Sequence, residues 1–395
     1  MISSTGPEIL VSGGGIGGLS VALALARRGR RVRVLEKAQE FGEIGYGIQV
    51  GPNVFPLLVA LGVFDAMEPH VVYPDALIMA DALTGKELSR ISLGPAFRAR
   101  FKYPYLVVHR RDLHGAILSA CRDREEIVLE AAKGLVGFEQ RDHRVVVTCE
   151  DGSQYEGAAL IGADGLWSPT RSAIVGDGPP RVTGHVAYRG VVPIEQVVDR
   201  SRLDSMVIYV GPDLHLVQYR LRGGTVMNNV ATIESKRFKR GEAHFGDPDE
   251  LDELFSQCAP GVRDMLRHIS RERHWELHDR DPVTNWTRGN ATLLGDAAHP
   301  TLQYLAQGAC MAIEDAVVLG AEVARHGEDY NAAFNAYQQQ RMNRTARVVL
   351  TARLFGHICH AGGGARVLRN ELLAARSPDD PWEIAWLYQC IEPRG

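Results

Sequence analysis

The chain has no run close to the roughly 18 apolar residues that a membrane span needs. No basic segment precedes its first apolar stretch, so a secretory leader is not expected. Its net charge is only −4, too weak a bulk field to draw the protein to nucleic acid or an anionic membrane. The six cysteines, at 121, 149, 258, 310, 359 and 390, include no CxxC pair and no disulfide rhythm. They read as reduced thiols in a cytoplasmic protein. His357, Cys359 and His360 lie close together but lack a second ligand pair at metal spacing, so they read as helix-packing or surface residues and no metal is expected. Repeats and low-complexity tracts are also missing. At 395 residues, 45% hydrophobic and 23% charged, what is left is a soluble globular chain too long for one core.

The stretch Ile9–Glu36 carries the strongest signal. An apolar strand (Ile9, Leu10, Val11) leads into Gly13-Gly14-Gly15-Ile16-Gly17-Gly18, an alanine- and leucine-rich helix, and a second strand (Val32 to Leu35) that stops on Glu36. This strand–turn–helix–strand order is the setting a dinucleotide fingerprint requires. Gly13 permits the tight turn, Gly15 lets backbone approach a pyrophosphate, and Gly18 lets the helix pack close to the sheet. The helix N-terminus offers unpaired N–H groups to phosphates. Glu36 stands where an acid binds a ribose diol. The alternative is a tight turn with no ligand.

Further on, a glycine-rich loop, Phe41–Asn53, holds Gln49 and runs into a helix with Leu57, Leu58 and Leu61. Residues 76–104 read as short strands. The helix after Val107-Val108-His109-Arg110 begins with a cation, which a helix N-terminus disfavours unless an anion is near; Arg110 therefore points to a phosphate. A buried strand ends on Gly162-Ala163-Asp164-Gly165, where an α/β sheet binds ligands. From Pro179 the texture is β-type alternation. Near 286 the chain returns to the first domain, with a strand leading to Gly295-Asp296-Ala297-Ala298-His299-Pro300. A loop containing Gln303 then meets a helix near Gly308, Ala309 and Met311. Tyr330–His360 reads as one long helix, and Trp382, Trp386 and Tyr388 as residues packing on the body or on a partner subunit.

Three motifs (Gly13–Gly18 with Glu36, Gly162–Gly165, and Gly295–Pro300) in this order and at this wide spacing resemble the single-component FAD-dependent aromatic hydroxylases, the family of para-hydroxybenzoate and salicylate hydroxylases. The resemblance runs to at least residue 350. It implies an α/β fold: a Rossmann-like FAD-binding domain (1–75, 105–178 and 286–328), an inserted antiparallel-sheet substrate domain (76–104 and 179–285) and a C-terminal helical region (329–395). It implies that Gly13, Gly15, Gly18 and Glu36 hold the ADP half of FAD and that Arg110 reaches its phosphates. Asp164 would serve flavin and nicotinamide handling, and Asp296 the ribityl or ribose hydroxyls. Gly308 and Ala309 would present N–H groups to the flavin ring, with Gln49 beside it. NADH or NADPH, NADH favoured, and O2 would be co-substrates, and a homodimer is the family habit.

Within the family, Gln303 matches the branch acting on 3-hydroxybenzoate, where the salicylate enzymes usually carry proline. His215-x-x-x-Tyr219 matches the same branch. The implied reaction is hydroxylation of 3-hydroxybenzoate para to its hydroxyl, giving gentisate. His215 and Gln303 would be catalytic, and Tyr219 would contact the substrate. A salicylate-type or substituted-hydroxybenzoate reaction, or a non-catalytic binding module on the same architecture, are the alternatives. The residues support the site independently. In a strand, i and i+4 share a face, which puts His215 and Tyr219 on one wall about 13 Å apart at the backbone. Half-buried sheet residues with satisfied hydrogen bonds would show the same pattern. Arg189 is a candidate for the substrate carboxylate or for a structural role, and His299 reads as a cofactor-shell or structural residue rather than a base.

Overall fold

The computed structural model describes residues 8–42, 45–378 and 384–390. Three apolar segments, Ile9–Ser12, Ala159–Gly162 and Ala291–Leu293, form adjacent parallel strands with every residue buried. Ile9, Val11 and Ile161 face helices, while Leu10 and Leu160 face Val145 and Val147 of a three-stranded antiparallel sheet; strands covered on both faces need no polar alternation, which is why they read as continuous apolar runs. Val32–Leu35 and Ile127–Glu130 extend the sheet on one side, and Thr287–Arg288 closes the other as an antiparallel edge. Ser12 is level with Gly162, and Gly162 with Leu293. The three motif turns therefore emerge side by side from one edge of the sheet. Helices Ile16–Ala26 and Gly308–His326 cross so closely that a Cβ on Gly320 would stand 3.1 Å from the Ala24 methyl. Leu19, Leu23, Ile313 and Leu319 join the strands in one core.

The second sheet has seven strands, in the order His274–Asp279, Arg181–Pro193, Val226–Glu234, Leu214–Leu221, Ser205–Gly211, Ala76–Asp81, Glu87–Ser92. It is antiparallel except where Ser205–Gly211 runs parallel to Ala76–Asp81. That exception follows from connectivity: between these strands the chain leaves to build the first sheet, and only such a long crossover can join parallel neighbours.

Within 76–104, residues 95–101 form a helix, Pro95–Phe101, rather than a strand. Proline is preorganised for a first helical turn, and Phe97 and Phe101, four apart, bury one face. The helix expected to open near Met311 begins at Gly308, directly after Ala306 adopts a left-handed conformation (φ 52°) that ends the preceding turn.

Helix Tyr330–Cys359, about 45 Å long at 1.5 Å per residue, spans both sheets. Near its start the Tyr337 hydroxyl donates to the Leu293 carbonyl at 3.1 Å. Near its end Ala352 and Cys359 pack with Met79, Val210 and Tyr304 beneath the second sheet. Tyr388 packs edge-on against Phe97, Phe101 and Tyr105, and Trp386 lies beneath the Arg347 guanidinium at 3.9 Å, so both sit on their own chain. Trp382, Glu43 and Ile44 lie outside the described residues. Among the described residues, no helix is long and apolar enough to cross a membrane.

Candidate active site

The first turn is built for close approach. Gly13 has φ +106°, and a Cβ there would run into the Ala163 carbonyl; one on Gly18 would overlap the Gly13 carbonyl oxygen. Gly15 caps helix Ile16–Ala26 without a side-chain acceptor, leaving the helix start open. Glu36 reaches back to the turn. Its Oε2 accepts from the Gly14 N–H at 2.6 Å and its Oε1 from the Ala38 N–H at 2.8 Å. His114 braces the same turn through Nε2 and the Gly14 carbonyl, 2.9 Å apart. A surface groove of about 440 Å³, lined by Phe41, Leu129 and Ala131 among others, opens nearby. The Phe41 ring covers the site of a Gly14 Cβ, with Glu36 next to it.

The other two turns differ from each other. Asp164 is turned into its own loop: its carboxylate accepts from the Thr170 N–H at 3.2 Å, the Thr170 hydroxyl at 2.6 Å and the Ser168 hydroxyl. Burial pushes its pKa up, against those hydrogen bonds. Asp296 instead faces an open cleft, exposed to solvent although ringed by protein. The surrounding protein raises its pKa, while the charges of His299 and Arg110 oppose the rise. A Cβ on Gly308 would lie 3.9 Å from Asp296 Oδ1, so the carboxylate stands at the N-terminus of helix Gly308–His326 beside Gly308 and Ala309. Arg110 is exposed at the start of helix Arg110–Arg122, and its charge bears on both Asp296 and Arg189. His299 is locked to Asp315 at 2.6 Å in the interior, a structural place. An open acidic rim, a glycine turn with no Cβ in the way and a helix start without a side-chain cap fit an adenine dinucleotide carrying a flavin.

Gln49 lies on strand Gly47–Val50, and its side-chain oxygen accepts from the Tyr105 hydroxyl. The Tyr219 ring and hydroxyl occupy the space a Gly47 Cβ would need. On the seven-stranded sheet His215, Val217 and Tyr219 share a face with Arg189, Val230 and Thr232 of the neighbouring strands. Gln303 spans this face. Its Oε1 accepts from Arg189 Nη2 at 2.8 Å, and its Nε2 donates to Thr232 Oγ1 at 2.8 Å. Thr232 is the cross-strand partner of His215. The fold thus brings His215, Gln303, Arg189 and Tyr219 together, with Gln49 at the margin.

Arg189 lies over the rings of Tyr46 (5.3 Å) and Trp275 (5.8 Å). Burial lowers its pKa, and Tyr219 partly compensates. Burial raises the pKa of Tyr219, keeping it a phenol. His215 is 2% exposed, and its Nδ1 is 2.8 Å from His360 Nε2. Burial and the neighbouring His360 and His185 push its pKa well below the usual histidine value, so it is neutral, with a lone pair on one ring nitrogen.

The sequence reading missed His360, His185, Thr232, Tyr46 and Tyr105. Thr232 was recoverable from strand parity, because it shares a face with Val230 and Asn228, which stand opposite Val217 and Tyr219. His360 was not: it becomes a site residue only because the long helix ends under the sheet.

Residues 7–352 match the family described as FAD binding domain. The chain is 43% identical over 381 residues to a protein of Polaromonas naphthalenivorans named 3-hydroxybenzoate 6-hydroxylase, covering 96% of this chain and 95% of the relative. It is 41% identical over 391 residues to one of Klebsiella oxytoca with the same name, covering 98% of each. Among solved structures, Klebsiella pneumoniae HpxO complexed with FAD and uric acid aligns with a TM-score of 0.84 at 29% identity, covering 97% of each chain. A salicylate hydroxylase substrate complex aligns at 0.81 and 22% identity, covering 98% of this chain and 96% of that one, a likeness of fold. With three glycine-bearing turns along one sheet edge and an antiparallel sheet above them, the chain belongs to the family of FAD-dependent aromatic hydroxylases.

Proposed function

We propose that the protein hydroxylates 3-hydroxybenzoate at the carbon para to its hydroxyl, giving gentisate, with O2 and NADH. The observation that carries this reading is the single wall holding a cation, a neutral base and an amide between them: Arg189, His215 and Gln303. Gly13, Gly15, Gly18, Glu36 and Arg110 would hold FAD at the adenosine and phosphate end, Asp164 would serve flavin and nicotinamide handling, Asp296 would hold the ribityl or ribose hydroxyls, and Gly308, Ala309 and Gln49 would stand at the ring. Bound there and reduced by the nicotinamide, FAD supplies activated oxygen, and the protein supplies orientation and exclusion of water.

Arg189 binds the substrate carboxylate, a charge-assisted contact that a guanidinium suits. Its backbone and that of His215 are two strands and one two-residue step apart, about 12 Å by strand spacing and rise, with Gln303 bridging from Arg189 to Thr232, the cross-strand partner of His215. His215 takes the phenolic proton. Deprotonation raises electron density at the ring carbons ortho and para to the oxygen, and the para carbon is the one that yields gentisate. Gln303 orients the ring, and Tyr219 lines the far side.

The test is aerobic NADH oxidation by the FAD-loaded protein with a panel of hydroxybenzoates, with products separated by chromatography. Gentisate from 3-hydroxybenzoate is the expected result; catechol from salicylate as the main product would overturn it. In the same assay Arg189→Met raises KM for 3-hydroxybenzoate roughly 10- to 100-fold, the loss of a hydrogen bond between charged groups worth about 1.5–3 kcal/mol. The uncharged 3-hydroxybenzamide is spared that loss.

The protein is read as a homodimer. Helix Tyr330–Cys359 exposes Leu350, Leu354 and Ile358 along one face, and helix Gly363–Ala374 exposes Leu368 and Leu372, apolar surface of the kind that marks interfaces. Light scattering of the pure protein is expected to give twice the 43.4 kDa chain mass; the monomer mass would reject the dimer.

A further inference from the structure

The proposed base is sealed in. A proton taken by His215 needs an exit, and one line of polar groups leads away from it. His215 Nδ1 lies 2.8 Å from His360 Nε2. His360, the cap of the long helix, is 5% exposed, and its Nδ1 is buried without a hydrogen-bond partner. That nitrogen faces Glu234 Oε2 at 3.8 Å. Glu234 is partly exposed and pairs with Lys239 at 3.2 Å, and Lys239 with Asp213 at 2.8 Å, both at the surface. We propose that His360 and Glu234 carry the substrate's phenolic proton from His215 to solvent. This rests on the reading of His215 as the base.

The tautomers are consistent along the line. An ionised Glu234 favours the His360 proton on Nδ1. His360 Nε2 then accepts from His215 Nδ1–H, and His215 Nε2 is left with a lone pair for the phenol. When the phenolic O–H breaks, its proton bonds to Nε2. The Nδ1 proton of His215 passes to His360 Nε2, and the Nδ1 proton of His360 passes to Glu234, once the two side chains close the 3.8 Å between them, and out. One proton enters and one leaves, and both imidazoles finish neutral with tautomers reversed. They reset when the line runs backward: a proton enters from solvent through Glu234 to His360 Nδ1, the Nε2 proton of His360 returns to His215 Nδ1, and the Nε2 proton of His215 leaves on the substrate side.

The groups facing this line are His185, Tyr304, Cys359, His357, Lys239 and Asp213. His185 Nε2 also faces Glu234, at 3.9 Å, while its Nδ1 is engaged by the Tyr304 hydroxyl. Burial lowers the pKa of His185 to about 4 and that of His360 below its usual value; the adjacent His360 lowers that of Glu234 to about 2. The line is thus neutral imidazoles ending on an ionised carboxylate, which polarises the His360 Nδ1–H outward and, holding a proton weakly, hands it on to water. His185, Glu234 and His360 are also spaced as metal ligands are. A divalent ion there would have to share Glu234 with the Lys239 ammonium.

The experiment uses FAD-loaded wild type, Glu234→Gln, His360→Gln and His215→Ala. Proton release on mixing with 3-hydroxybenzoate is followed by stopped flow with a pH indicator, alongside gentisate yield and bound metal. Glu234→Gln and His360→Gln are expected to slow proton release at least 10-fold near neutral pH, with substrate affinity within 2-fold of wild type. Their rates rise with pH as hydroxide substitutes for the relay, and formate partly rescues Glu234→Gln. Wild-type release rates and an unchanged pH profile in both variants, with His215→Ala inactive, would overturn the relay alone. Full activity of His215→Ala would overturn the base assignment and the relay with it. One bound metal per chain, lost in Glu234→Gln, would overturn the relay in favour of a metal site.

Discussion

His215→Ala and Gln303→Ala are each expected to retain FAD and to lose hydroxylation by 10²- to 10⁴-fold, the usual range for removing a general base. The separation follows from the fold. The cofactor turns project from the six-stranded sheet, whereas His215 lies on strand Leu214–Leu221 of the other. Removing its imidazole therefore leaves Gly13, Gly18, Glu36 and Asp296 in place. Without a base, the phenol must lose its proton to hydroxide, so the His215→Ala rate climbs with pH toward the phenol pKa of about 10. Gln303→Ala leaves the Arg189 guanidinium and the Thr232 hydroxyl without the amide that fixes them 2.8 Å from its ends, and the ring binds without one orientation. The flavin absorbance of the purified variants, NADH consumption and gentisate yield read the two effects separately. Wild-type gentisate yield from either variant would reject the assignment; loss of the flavin absorbance would show that the two sheets are not independent.

Arg341→Met is expected to destabilise the protein by about 3–5 kcal/mol, the cost of breaking a buried ion pair by removing one partner. Arg341, Glu314 and Asp315 are all fully buried. Nη2 meets Glu314 Oε2 at 2.7 Å and Nε meets Asp315 Oδ1 at 2.6 Å. Asp315 also holds His299 at 2.6 Å and the Gly295 N–H at 3.1 Å, so the network reaches the third motif turn. Glu314 retains Arg344 and Asn53 in the variant, whereas Asp315 retains His299 and the nearby Tyr337 hydroxyl but no arginine among the described residues. The urea midpoint reports the loss; a change below about 1 kcal/mol would mean the interior readjusts around the carboxylates. The pH dependence has a definite sign. The charges of Arg341 and its neighbours hold both carboxyl pKa values below the unfolded ones, against the desolvation that would raise them. Their contribution is therefore present above pH ~4 and lost as pH falls below it. The gap between wild type and variant narrows in acid.

Much of this was legible in the chain. Gly13, Gly18 and Glu36 are dictated by local geometry, and their strand–turn–helix setting can be read from spacing. The alignment of Asp164 and Asp296 with that turn is a property of strand order, which the three motifs implied together but none implied alone. His215 and Tyr219 share a face because of the two-residue strand period, a local rule. The ring partner of His215 was beyond reach. His360 sits 145 residues away, after a helix whose pattern says nothing about what its last residue meets. The sequence also could not show that Asp164 bonds within its own loop, because a carboxylate after a buried strand serves equally as ligand holder or as anchor for the turn.

The three strands whose ends carry the motif turns, and with them the proposed cofactor groove, span residues 9–12, 159–162 and 291–293. On the ribosome the first therefore waits for the third until nearly three quarters of the chain has been made. The helix at Gly308 and the buried Arg341 network must follow before the groove has its far wall. A nascent or truncated chain can form strands and hairpins, but it has nowhere to put the flavin. Yellow colour thus marks a chain that has finished folding, and cofactor supply stabilises that finished state selectively, since a ligand that binds only the native form shifts the equilibrium toward it.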